Sequence, residues 1–249
     1  FEGPDVNFLE DPAVNAELAI EKLFPLLVAG ERNAARQEVR NLLDAEWSPE
    51  DIAQEVFWPI HENIARLYRA DQLSELAEHY ATRMLRMLVD QMQVMYTQRD
   101  LNDRSVLIFC GLTEGDELAA QLVADLAEAD GYKVRFAGGG IANDEILEEM
   151  NAYKPDVLLL FSSSATDAPN IRQLIDTVRE IGSAPDVQFA VGGGIFNRAE
   201  GLAQEIGADV WATSPLEMLD LLRDAKDRRA TPEQRTVGRT RRQTRSAAA

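Results

Sequence analysis

The stretch VLIFCGLTEGDELAAQLVADLAEADGYKV, Val106 to Val134, contains one complete strand–loop–helix–strand unit. Val106–Phe109 reads as a buried strand and Gly111–Glu117 as a short loop. Apolar residues at Leu118, Leu122, Val123 and Leu126 then recur at helical spacing. The unit repeats down the chain. Strands read at Val106–Phe109, Lys133–Phe136, Val157–Phe161, Val187–Val191 and Val210–Trp211, with helices between them and one more after Pro215. Such alternation implies a parallel sheet covered on both faces. Five strands over 104–226 predict a flavodoxin-like, doubly wound α/β domain.

Upstream the period changes. Residues 1–100 read as helices throughout, one from Glu17, one over Glu31–Ala45, and one opened by Ser48-Pro49-Glu50-Asp51, a capping serine with proline in the first turn. Pro59 is expected to kink or split that last helix. A long amphipathic helix carries Leu73, Leu76, Tyr80, Met84, Met87, Leu88 and Met92, its methionines read as core filler. Four or five helices with short connections predict a small bundle. Residues 100–104, DLNDR, read as a polar linker.

The chain has 249 residues and a formal net charge of -18. That charge argues against the body gripping nucleic acid, which needs basic surface. The lone Cys110 cannot close an internal disulfide and reads as a buried thiol in a reducing, cytoplasmic setting. No segment approaches the length of a membrane span, and no signal peptide is visible in a chain that opens at Phe1. Charge is uneven: from Arg228 onward seven arginines face one acid, Glu233. Residues 227–249 therefore read as a basic, disordered tail, either simply solvated or touching nucleic acid or an acidic partner.

In a parallel sheet the loops leaving the strand C-termini converge on one edge. After the first strand comes CGLTEGDE, with Gly115 and Asp116; after the second, Gly138, Gly139 and Gly140. The third is followed by Ser162, Ser163 and Ser164, and the fourth by Gly192, Gly193, Gly194 and Phe196. Glycine admits close backbone approach and serine offers hydroxyls, so the edge predicts a bound ligand. The usual nucleotide signatures are missing: there is no GxGxxG opening a helix and no P-loop lysine. The nearest basic side chain, Arg198, falls just past the fourth loop. A receiver domain would want paired acids after the first strand and a lysine after the last, where this chain has Thr213-Ser214-Pro215.

A helical bundle followed by this edge resembles the cobalamin-binding modules of methionine synthase, corrinoid methyltransferase proteins and B12-dependent photoreceptor regulators. The resemblance covers about residues 10–225. It implies that Ser162–Ser164 and VGGGIF, Val191–Phe196, surround the nucleotide tail of the cofactor. The photoreceptor subgroup carries a tryptophan, nine residues, then Glu-His. Tyr68, nine residues and Glu78-His79 stand at that spacing here. Tyr68 is thereby a lid over the ring or ordinary packing. Glu78 orients a ligand or is a helix acid. His79 is the axial metal ligand or a hydrogen-bonded bundle histidine, and His61 a packing residue.

The family's Asp-x-His-x-x-Gly, which supplies the lower histidine ligand of cobalt, departs here to Glu114-Gly115-Asp116-Glu117-Leu118-Ala119. Asp116 stands in the histidine's place, and a carboxylate suits this softer centre poorly. The branch without that histidine is the AerR/PpaA type of photosynthesis gene regulator. This resemblance implies a sensory, non-enzymatic module that binds a tetrapyrrole, cobalamin first and heme as the alternative. It further implies a DNA-binding repressor or other transcription factor as the partner, reading light, redox or cofactor state. The alternatives are a corrinoid methyl-carrier component of a methyltransferase and a cofactor-free interaction module.

Overall fold

The computed structural model describes residues 12–231, with side chains from Asn15 onward. The chain divides into two compact units, the first ending at Tyr96 and the second starting at Thr97.

The first unit is helical: α1 (Pro12–Ala29), α2 (Arg32–Asp44), α3 (Pro49–Asp51), a π-helical segment (Ile52–Phe57), α4 (Trp58–Arg69) and α5 (Glu75–Gln93). Its core is built from residues such as Leu23, Leu27, Ile52, Phe57, Ile60, Leu85, Leu88 and Met92, all essentially inaccessible to solvent. Each such side chain contributes about 1.5–3 kcal/mol by leaving water. Ser48 caps α3 by accepting from the Asp51 N–H at 3.0 Å. Ser74 caps α5 in the same way through Ala77. Helical backbone continues through Pro59, which falls in the first turn of α4. The backbone widens to a π turn just ahead of it, in which the Trp58 N–H donates to the Ala53 carbonyl. A proline has no N–H to close the ordinary ladder, and the wider turn absorbs that loss without ending the helix. On α5 the expected apolar stripe is shifted. Ala81, Met84, Leu85, Leu88, Val89 and Met92 are buried, whereas Leu76 and Tyr80 are exposed.

The second unit is a five-stranded, all-parallel sheet in the order β2-β1-β3-β4-β5: β1 (Ser105–Cys110), β2 (Lys133–Gly139), β3 (Val157–Phe161), β4 (Gln188–Gly192) and β5 (Val210–Trp211). Helices α6 (Glu114–Ala129), α7 (Asn143–Tyr153), α8 (Ala168–Ile181), α9 (Gly194–Arg198), α10 (Leu202–Glu205) and α11 (Pro215–Asp224) connect and cover it. The doubly wound α/β expectation holds. β3 is central and buried along its whole length, while edge strand β2 alternates between exposed and half-buried residues. One face packs Leu107, Phe109, Leu158, Leu160, Phe189 and Val191 against Ile146, Met150, Leu174 and Ile175.

Three boundaries move. β2 runs through Gly138 and Gly139, read from sequence as a loop, because a bulge pairs Phe109 with Gly138 after Ile108 pairs with Phe136. Gly138 takes φ +79°, a conformation glycine adopts without strain. The DLNDR segment is not a free linker. Asn102 N–H donates to Gly131 O at 2.9 Å, Arg99 N–H to Ala129 O at 2.8 Å, and Lys133 pairs with Asp103. The start of the expected tail is also packed. The Ala230 N–H donates to buried Asp209 at 2.6 Å, Arg229 to the Asp186 carbonyl at 2.6 Å, and the Arg228 guanidinium lies 4.8 Å from the Trp211 ring. The remaining tail arginines, from Arg235 on, lie outside the described residues.

Candidate functional site

The strand order reverses between β1 and β3, and in open α/β sheets that crevice outside the strand C-termini is where ligands bind. A cleft of about 310 Å³ opens there, walled by Phe109, Leu112, Ile141, Ile146, Ile171 and Leu174, with Asn143, Asp167 and Asn170 adding polar groups. Apolar walls with a few polar groups are typical of small-molecule sites.

Next to it the loops after β1 and β3 are tied together. Thr113 is the N-cap of α6: its hydroxyl accepts from the Asp116 N–H at 3.0 Å and donates to the Asp116 carboxylate at 2.7 Å. Ser163 reaches the same carboxylate with both its hydroxyl and its backbone N–H. Asp116 is 3% exposed. Burial pushes its carboxyl above the usual carboxylate range; the bonds to Thr113 and Ser163 oppose that shift, and the charge of Asp167 adds to it. A second tie runs inside the serine loop. Ser162 donates to Asp167 at 2.7 Å, and the Ser164 N–H donates to the Ser162 hydroxyl at 3.1 Å. Arg198 reaches back from α9 to the Ser163 carbonyl at 2.7 Å.

The edge therefore gathers Asp116, Ser162, Ser163, Ser164, Gly192, Gly193 and Gly194. Phe196 sits in the apolar core instead, and Gly115 lies within α6. The glycines have steric reasons of their own. A Cβ on Gly139 would fall onto the Gly111 carbonyl, one on Gly192 would lie 2.7 Å from the Phe161 ring, and one on Gly193 would lie 2.5 Å from the Ser162 carbonyl. Sequence reading missed Gly111, Thr113 and Asp167. The Thr-x-x-Asp spacing at 113–116 is a capping signature and was the available signal for Thr113.

Tyr68, Glu78 and His79 belong to the first unit. Tyr68 and His79 are exposed, and Glu78 accepts from Thr82 at 3.0 Å while its other oxygen lies 3.7 Å from His79. His61 packs against Trp58, ring centroids 5.4 Å apart, and is pushed down to about 4 by burial and by the charge of Arg69. Among the described residues no three His, Cys, Asp or Glu side chains gather as a metal site. No helix among them is long and apolar enough to cross a membrane.

A doubly wound sheet with a cleft at its switch point is a ligand-binding architecture, and comparison with known families says which ligand. A family model described as B12 binding domain matches residues 104–220, and a second of the same description matches residues 19–93. Both units thus carry a B12-binding domain, and the chain is a cobalamin-binding protein. It is 27% identical over 120 residues to trimethylamine corrinoid protein 2 of Methanosarcina acetivorans, covering 47% of this chain and 54% of that one. It is 23% identical over 131 residues to dimethylamine corrinoid protein 1 of the same organism, covering 52% and 61%. The matched part thus spans little more than half the length of these curated relatives. The solved structure of Methanosarcina barkeri monomethylamine corrinoid protein superposes with a TM-score of 0.66 at 16% identity, covering 84% of this chain and 99% of that one, a likeness of fold.

These relatives correct the expected partner. They are corrinoid proteins named for methylated amines, not regulators, and a DNA-binding repressor, another transcription factor or nucleic acid at the arginine-rich tail is not supported. Residues 97–249 contain no histidine, since the chain's two are His61 and His79.

Proposed function

We propose that this protein is a corrinoid carrier. It holds cobalamin at the strand edge of the second unit and presents it to a methyltransferase, as the component that bears a methyl group and not the catalyst that moves it. One observation carries the reading: the serine loop Ser162–Ser164 packs against the glycine turn Gly192–Gly194 at the C-terminal edge of a parallel sheet, beside the switch-point cleft, in a chain whose halves both match B12-binding domains. When bound, the corrinoid supplies a cobalt centre that takes up and gives up a methyl group. The residues of the chain do the holding. Ser164 and Thr166 offer hydroxyls, Gly192 and Gly193 keep that wall at backbone width, and Arg198 steadies the serine loop through the Ser163 carbonyl.

The test is retention of hydroxocobalamin by the purified chain after desalting. About one corrinoid per chain is expected, lost in Gly193→Val, with methyl uptake only when a corrinoid methyltransferase and its methyl donor are added. Cobalamin that elutes free of the protein overturns the reading, and a retained heme Soret band moves it to heme. Asp116 in place of imidazole favours a second reading, the light- or redox-sensing role that the AerR/PpaA resemblance implies. A change in the loaded protein's spectrum on illumination, without methyl uptake, selects it.

A further inference from the structure

The carboxylate of Asp116 is already committed. It accepts from the Thr113 hydroxyl at 2.7 Å and from the hydroxyl and amide of Ser163, so it spans the loop after β1 and the loop after β3. Gly111 is pressed between the two acids of the edge. A Cβ there would lie 2.5 Å from Asp116 Oδ2 and 3.0 Å from Asp167 Oδ2. To turn onto a metal, the buried Asp116 carboxylate would have to give up all three of these donors at once. A hard carboxylate oxygen would gain little from a cobalt centre that favours nitrogen. No imidazole stands nearby in the same unit to take the position instead.

Building on the corrinoid reading above, we propose that Asp116 is a positioning residue and not a cobalt ligand: it bridges the Gly111–Thr113 loop to the serine loop, and a corrinoid bound there receives no cobalt ligand from residues 97–249. The bridge presets the spacing of the two loops between which the cofactor must fit. The carboxylate thus serves affinity and leaves the ligand field of the metal untouched.

The full chain and its Asp116→Ala, Asp116→Asn and Asp116→His variants are loaded with hydroxocobalamin and with cobinamide, which lacks the nucleotide base. Retention, absorption bands and, after one-electron reduction, the EPR spectrum are recorded. Asp116→Ala is expected to hold either corrinoid about tenfold more weakly, as the loss of about 1.4 kcal/mol of binding dictates, with band positions unchanged. Asp116→Asn, which still accepts from Thr113, is expected within about twofold of wild type. Asp116→His is expected to add nitrogen splitting to the EPR spectrum of the cobinamide complex. Band positions that move between wild type and Asp116→Ala make Asp116 a ligand and overturn the proposal, as does undiminished affinity in Asp116→Ala. Should that variant not fold, Ser163→Ala removes one end of the bridge and repeats the test. Without any cofactor, hydrogen exchange over 111–117 and 162–167 is expected to quicken together in Asp116→Ala and not in Asp116→Asn; unchanged exchange also overturns the bridge. Retention of neither corrinoid by wild type defeats the carrier reading itself, which an intact exchange result distinguishes from failure of the bridge.

Discussion

His61 packs against Trp58 and ionises only near pH 4, against an ordinary value of 6.5. The unfolded chain therefore binds a proton between those values that the native helical unit refuses. Stability is complete above pH 6.5 and falls as pH drops through that window, by up to about 3 kcal/mol. Replacing His61 by Gln is expected to flatten the melting temperature of the helical unit between pH 7 and pH 5, read by calorimetry. Asp116 has the opposite sign. Its folded carboxyl is raised above the unfolded value of 3.8, so its contribution worsens as pH rises through the raised value and recovers in acid. In the cofactor-free protein, Asp116→Asn is expected to melt no lower than wild type at pH 7, with any advantage fading toward pH 4. A lower melting point at pH 7 would mean that charge, and not only hydrogen bonding, maintains the bridge. The glycines separate by the same logic of surroundings. Gly182, with φ +68° and open space around it, should tolerate Ala at a cost of about 1 kcal/mol. Gly139→Ala, aimed at the Gly111 carbonyl, should cost several times more, since backbone cannot swing aside as a side chain can.

At the level of elements, the segment Pro49 to Arg69 stays helical through Pro59 because the ladder widens before the proline, burying Ile52, Ala53, Val56 and Phe57 on the way. The sheet's far end is closed by a buried acid. Asp209 accepts from the Phe189 N–H at 2.7 Å, the Ala230 N–H at 2.6 Å and Arg179 at 2.8 Å, while Arg179 also lies 4.8 Å from the Phe189 ring. Residues 225–230 are thereby strapped to β4, with the Gln188 amide donating to the Ala225 and Arg228 carbonyls. Asp209→Ala is expected to cost about 3–5 kcal/mol in chemical denaturation, because it leaves Arg179 and two amides without their acceptor. A loss under about 1 kcal/mol would show that the strap contributes little.

For the whole molecule, binding to the native state alone must raise stability by mass action. At a free cobalamin concentration 100 times its dissociation constant, the stabilisation is about 2.7 kcal/mol. The thermal transition of the second unit should rise accordingly, and a transition insensitive to cobalamin would count against the site. Much of this organisation was legible beforehand. The change from helical period to strand–helix alternation near residue 100 marks the two units, and β3 and β5 lie where their apolar runs end. The glycine runs were harder. Gly138 and Gly139 belong to a bulged strand, since a pairing register depends on the neighbouring strand and not on the run itself. Leu76 and Tyr80 match the helical period yet remain exposed, because which turns of an amphipathic helix find a partner depends on the lengths of the helices around it.

Local periodicity, capping residues and turn chemistry act within a few residues, so the amino-acid order alone determined the helical half, the parallel α/β half, the serine and glycine loops at one edge, and the absence of a histidine beside them. Which atoms those loops spend on one another was decided only by tertiary structure. Thr113, Asp116, Ser163 and Asp167 meet because β1 and β3 are adjacent in space though about fifty residues apart in sequence, and hydrogen bonds between such distant segments leave no periodic trace in the chain.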